Sequence, residues 1–341
     1  MRPLKHAAKA AAALLACGVL ACALTGCTAR LARSAETPRM PYYQDPDTQP
    51  YEGLPALPYE EVPASQTGIY GSVGLLAFPS VLVSVYLDEA GGGHTWTDEG
   101  IARSRANLAV AVDWINEQCA AYNASARITC DDGTDEDLFV RMEYNGRFRG
   151  GVESDEDDDL LDAADLLCEQ LDTAALRQKY GTSSIGFLYF LPLEGSAFTM
   201  VHYAEDGSYY YYEYSILYEY DAYSAPGTFD SPAVYAHEIL HLYGAPDLYD
   251  GSSDLFVSPE MVRYVSENWP TAIMQDTYSA DGGIDYDFID RSICPITAYR
   301  LGLCTDFEGL ELFPALAATR PGVFEDEAAP DGSGAVAARA G

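Results

Sequence analysis

The sequence predicts one layered α/β (α+β) domain, spanning residues 67–317, built on a small mixed, twisted β-sheet. Three observations lead there. Short apolar runs rich in β-branched and aromatic residues alternate with longer segments of helical period. A hairpin signal then replaces the next crossover. A final helix, apolar nearly all round, follows the hairpin and belongs in a core.

The elements follow in order along the chain. "VLVSVYL" (81–87) is continuously apolar, as a strand buried on both faces must be. "TDEGIARSRANLAVAVDWINEQCAAY" (97–122) has helical period, with Thr97 as N-cap and Asp98 and Glu99 in the first turn. "DLFVRMEY" (137–144) reads as the next strand, "DDLLDAADLLCEQLDTAALRQKYG" as one helical stretch, and "SIGFLYFLP" (184–192) as a buried strand. "FTMVHYA" and "YYYYEYSIL" flank the turn signal "EDGS" and form the hairpin. Alternate tyrosines of Tyr209–Tyr212 then face core and solvent.

The formal net charge is -34, and Lys5, Lys9 and Lys179 are the only lysines. Such a surface repels nucleic acid and anionic headgroups, so no nucleic-acid partner is expected. The acidity reads as solubility and salt tolerance. The run "ESDEDDD" (153–159) reads as a solvated loop, with attraction of Ca²⁺ or cationic peptides as the narrower alternative. "DGSSD" (250–254) and "DGGIDYDFID" (281–290) also leave Ca²⁺ open, but neither fits an EF-hand loop, so that ion is unsupported.

Residues 1–26 have the form of a secretory signal, with Arg2, Lys5 and Lys9 ahead of an alanine-rich apolar run. Its end, Leu24-Thr25-Gly26-Cys27, resembles the bacterial lipobox. That resemblance implies cleavage before Cys27 and lipidation of its thiol, with enough acyl chain for stable anchoring. An ordinary signal peptide with an incidental cysteine is the alternative. No later run is long and apolar enough to span a bilayer. The expected location is the bacterial cell membrane, lipid-anchored and facing outside the cytoplasm, with membrane contact through the N-terminal lipid only. Residues 27–66 carry Pro38, Pro41, Pro46, Pro50, Pro55, Pro58 and Pro63 and read as an extended tether, or as a propeptide covering the site. Residues 318–341 are poor in large apolar side chains and read as a disordered tail.

Beyond Cys27 the cysteines are Cys119, Cys130, Cys168, Cys294 and Cys304, an odd number with no CxxC pair. Cys119 shares a helical stripe with Ile101, Leu108, Val112 and Ile115, and Cys168 one with Leu160, Ala164 and Leu171, so both read as core. Cys294 and Cys304 flank a predicted helix that would hold them roughly 15 Å apart, too far to bridge.

The chemistry concentrates in "SPAVYAHEILHLYGAPDLYD" (231–250). Ser231 suits an N-cap, Pro232 the first helical position, and Gly244 the left-handed residue that closes a helix. His237 and His241, four apart, project about 40° from one another and can reach one ion, while Glu238 lies about 100° round from His237. Tyr235, Ile239, Leu242 and Tyr243 make the other face apolar. Buried polar groups left unpaired cost about 1–3 kcal/mol each, so two histidines and a glutamate on such a helix need a reason, and a metal supplies one. Zinc held there would lower the pKa of a bound water from 15.7 to about 7, with Glu238 as the general base that takes its proton. If Gly244 turns the chain back, Asp247 can complete the ligand set as H-E-x-x-H-x-x-G-x-x-D.

This segment resembles the metzincin-type zinc metallopeptidases, in the variant with aspartate as third ligand. The resemblance is specific over 237–247, suggestive over 270–304 and topological before 230. It implies one catalytic Zn²⁺ on His237, His241 and Asp247, a methionine turn beneath the metal at Met274, and a C-terminal helix at "CPITAYRLGLC" (294–304). In many such enzymes a tyrosine two residues after the methionine stabilises the oxyanion. Here Asp276 stands at that place, and Tyr278 is the nearest tyrosine. The family also lays its substrate along an edge strand above the metal, for which the tyrosine-rich hairpin is the candidate. A competing resemblance is to the gluzincins, whose third ligand is a glutamate on a later helix, here Glu260 or Glu267. Asp247 is preferred because the glycine that makes its turn is present.

The expected function is therefore an extracytoplasmic, membrane-anchored zinc endopeptidase acting on protein or peptide substrates. The alternative is a non-catalytic cell-surface lipoprotein, an adhesin or binding module, that retains a metallopeptidase scaffold. Glu238 speaks against it, because a structural zinc site needs no base and usually takes four protein ligands. A fourth ligand such as His94 or His202 would favour it.

Overall fold

The computed structural model describes residues 73–317, apart from 74, 77, 125–126, 152–156, 183, 201–212, 251, 253–255 and 280–281. Cys27, the tether, the tail, His202 and Tyr209–Tyr212 lie outside the described residues. The strands are β1 (Ser80–Glu89), β2 (Ile128–Thr129), β3 (Phe139–Tyr144), β4 (Ile185–Gly195), β5 (Phe198–Met200) and β6 (Tyr214–Asp221). The helices are α1 (Asp98–Ala121), α2 (Asp157–Gln170), α3 (Thr173–Tyr180), α4 (Pro232–His241), α5 (Pro259–Asn268), α6 (Pro295–Arg300) and α7 (Pro314–Ala317). The architecture is mixed α/β around a six-stranded mixed sheet.

The sheet runs β2-β1-β4-β6-β5, and β3 joins β1 on the edge that β2 begins. Among the described residues all strand pairs are parallel except β5 with β6, which are antiparallel, with β5 at the edge. Alternation along the central strands separates two cores. Val81, Val83, Val85 and Leu87 of β1 face Leu160, Ala163, Ala164 and Leu167 of α2 and Leu176 of α3. Leu82 and Tyr86 face the opposite way, toward Leu108, Val112 and Ile115 of α1 and Ile239 and Leu240 of α4. The result is three layers with β1 buried along its whole length, which is why its sequence is a continuous apolar run. Helix α1 begins as expected, with Thr97 accepting a hydrogen bond from the Gly100 N–H at 3.0 Å. Among the described residues, no helix is long and apolar enough to cross a membrane.

Four expectations change. The helical stretch after residue 157 is two helices, because Asp172 caps the second by accepting from Ala175 N–H at 3.0 Å. The run 153–159, read as a solvated loop, overlaps the helix, because α2 begins at Asp157. Cys168 is exposed rather than core, since the buried face of α2 is Leu160, Ala163, Ala164 and Leu167 and the cysteine sits on its flank. The helix between Cys294 and Cys304 has six residues, not ten. Gly302 (φ 75°) turns the chain back, and the Leu303 N–H bonds Ala298 O at 2.9 Å. The Cys304 thiol thus comes to 4.0 Å from the carbonyl of Pro295, the residue after Cys294, so the premise of a wide separation fails. Both remain free cysteines.

Candidate metal centre

Helix α4 is built as its sequence indicates. Ser231 accepts a hydrogen bond from the Val234 N–H at 3.1 Å, and Pro232 occupies the first turn. Ser231→Ala should lower stability by about 1 kcal/mol, read as a denaturant midpoint shift at unchanged slope. At the other end the Ala245 N–H bonds Leu240 O (3.1 Å) and the Gly244 N–H bonds His241 O (2.9 Å), with Gly244 at φ 89°. These are the paired bonds of a Schellman ending, and the positive φ is the reason a glycine stands there.

That turn completes the site. The Ala245 carbonyl accepts from His241 Nδ1 at 2.8 Å, and the Ile273 carbonyl accepts from His237 Nδ1 at 3.0 Å. A carbonyl only accepts, so both imidazoles carry their proton on Nδ1 and, when neutral, present a lone pair at Nε2. The two Nε2 atoms lie 3.2 Å apart, and Asp247 Oδ1 lies 3.2 Å from each. Three electron-pair donors thus form an equilateral triangle. A tetrahedral zinc ion, about 2.0–2.1 Å from its ligands, spaces them roughly 3.3–3.4 Å apart, so the donor set fits that ion. Without a metal, imidazolium charge on His241 and His237 outweighs the burial that opposes ionisation of Asp247 and holds its carboxyl well below the usual carboxylate range. Its second oxygen, Oδ2, accepts from the Tyr249 hydroxyl at 2.7 Å, which fixes the carboxylate's orientation.

Glu238 stands beside this triangle. With His237 and His241 it forms a group compact enough to share one ion, yet its Oε1 is 4.0 Å from His237 Nε2, farther than Asp247. Geometry therefore separates three donor atoms at 3.2 Å from one more distant carboxylate. Of the acidic turns, 251, 253, 254 and 281 lie outside the described residues, and the described residues of 282–290 join no such group.

Met274 is buried in a tight turn, closed by the Gln275 N–H bonding Ala272 O at 3.0 Å. The turn carries Ile273 O to His237, and the Met274 carbonyl accepts the Leu248 N–H at 2.8 Å, so this segment braces both the helix and the aspartate loop. Tyr278 is placed differently. Its hydroxyl meets Ser224 near Asp221, and burial followed by Asp221 pushes its pKa up to about 12. Glu260 and Glu267 lie on the exposed face of α5, so the alternative glutamate ligands are not brought to the histidines. His94 is half exposed and sits 3.4 Å from Glu89 at the end of β1.

Residues that sequence reasoning missed surround Glu238. Thr199 on β5 and Ser215 on β6 are cross-strand partners. The Thr199 hydroxyl is 2.8 Å from Glu238 O and 2.9 Å from Glu238 Oε2, and the Ser215 hydroxyl donates to Glu238 O at 3.1 Å. No local motif marks either residue; only the hairpin register does.

Asp230, just ahead of α4, is buried, and desolvation together with Asp221 and Glu238 raises its pKa well above the carboxylate range. A raised acid contributes stability that is complete below the unfolded pKa of about 3.9 and is lost as pH rises through the folded value. Asp230→Asn should therefore raise the thermal midpoint at pH 7 relative to the parent, and the gain should shrink toward pH 4.

No family model, curated protein or solved structure matches the chain.

Proposed function

We propose that this chain is a metzincin-like zinc endopeptidase, tethered outside the cytoplasm by a lipid on Cys27, that hydrolyses peptide bonds of proteins or peptides. The single observation that carries the reading is the triangle of His237 Nε2, His241 Nε2 and Asp247 Oδ1, each 3.2 Å from the others, with Glu238 beside it. His237, His241 and Asp247 would hold the zinc. When bound, that ion polarises a peptide carbonyl and makes water acidic enough to ionise near neutral pH. Glu238 serves as the base that receives the proton at its carboxylate and returns it to the leaving amine. Ala245 O and Ile273 O orient the two rings, and Tyr249 orients Asp247. Met274 acts as the methionine turn through its backbone.

A catalytic site needs an open position. Of the two candidate fourth ligands, His94 is engaged with Glu89, and His202 lies outside the described residues. The test is cleavage of a peptide library by the zinc-loaded protein. Cleavage abolished by a chelator and restored by zinc is the expected result; no cleavage of any library member by protein with full zinc content would overturn the reading.

A further inference from the structure

Glu238 is close enough to His237 and His241 to serve as a ligand to the same ion. Something must keep it a base instead. Among the described residues, Thr199 brings a hydroxyl to the right place. Thr199 Oγ1 lies within hydrogen-bond distance of the Glu238 carboxylate (Oε2, 2.9 Å), the Glu238 carbonyl (2.8 Å) and the Ser215 hydroxyl (2.9 Å). There are two hydroxyl protons to place. Ser215 is aimed at the Glu238 carbonyl, which leaves the Thr199 proton for Oε2 when the carboxylate is ionised. One side chain on a neighbouring strand thus ties the Glu238 carboxylate back toward its own main chain and leaves Oε1 turned to the metal side, 4.0 Å from His237 Nε2.

Resting on the peptidase reading, we propose that Thr199 is the positioning residue of Glu238, holding its carboxylate out of the metal's coordination sphere and in reach of the reacting water. The edge strand β5 then does more than close the sheet. Its pairing register, Thr199 opposite Ser215, sets the orientation of the catalytic base. Thr199 acts through Glu238 and touches neither metal nor substrate in this role.

Thr199→Val keeps the branched shape of the side chain and removes the hydroxyl; Thr199→Ser keeps the hydroxyl. In the full-length protein, Thr199→Val is expected to lower kcat by about 10–100-fold, the usual effect of losing an outer hydrogen-bond partner, with KM and zinc content near the parent's. Thr199→Ser is expected to restore most of the loss. A second readout does not depend on turnover. Crystal structures of zinc-loaded Thr199→Val should show the Glu238 carboxylate released from its own main chain and drawn onto the ion, whereas Thr199→Ser should show it in place. Parental kcat in Thr199→Val, or a Glu238 carboxylate unmoved in its crystal structure, overturns the proposal. Thr199→Ala, which tolerates different packing, should give the same loss, and parental kcat there would overturn it equally. If the parent binds zinc but cleaves nothing, the peptidase reading falls, while the carboxylate's position in Thr199→Val still decides whether Thr199 holds it.

Discussion

Glu238→Gln is expected to lower peptide-bond hydrolysis by about 10²–10⁴-fold, the range that a positioned general base contributes, while leaving one zinc per chain. Glutamine keeps the size of the side chain and an oxygen that can accept from Thr199, but it cannot take a proton. The three groups that form the 3.2 Å triangle are untouched, so metal content should be unchanged. The measurement is kcat/KM on a cleaved library peptide beside zinc content by mass spectrometry. Activity retained in a clean Glu238→Gln preparation would remove Glu238 from the mechanism. Loss of zinc together with activity would instead make Glu238 a ligand.

Asp247→Ala should have the other large effect. It removes the anionic corner of the triangle and leaves two imidazoles to hold the ion. Zinc affinity should fall by more than the ~100-fold that loss of an outer hydrogen-bond partner costs. Stability should follow by linkage, because a ligand present at a thousand times its dissociation constant stabilises the folded state by about 4.1 kcal/mol. A chelator should therefore lower the melting temperature of the parent and leave that of Asp247→Ala nearly unchanged. Equal chelator shifts in both proteins would show that Asp247 holds no metal. The same experiment on Glu260→Ala should reproduce the parent, since that side chain lies on the exposed face of α5.

Much of the site was legible because its signals are local. Ser231, Pro232 and Gly244 mark both ends of α4, and the glycine's left-handed turn follows directly in the placement of Ala245 O and Asp247. The layers were legible for a related reason: β1 and β4 are continuous apolar runs because both their faces are covered. What escaped notice depends on pairing across the chain. Thr199 reaches Glu238 only because β5 lies antiparallel to β6 with Thr199 opposite Ser215, and nothing in "FTMVHYA" specifies that register. The proximity of Cys304 to Pro295 hangs on one positive φ at Gly302, which shortened a helix that periodicity alone extends. Tyr278 follows the methionine turn in sequence, yet its hydroxyl meets Ser224, a contact that no local pattern announces.

Zinc-edge anomalous diffraction from crystals of the zinc-loaded protein tests the central claim most directly. One zinc peak per chain is expected, about 2.0–2.2 Å from His237 Nε2, His241 Nε2 and an Asp247 oxygen, with the fourth position taken by solvent. A peak elsewhere, or a fourth protein ligand at the 237/241/247 point, would contradict it.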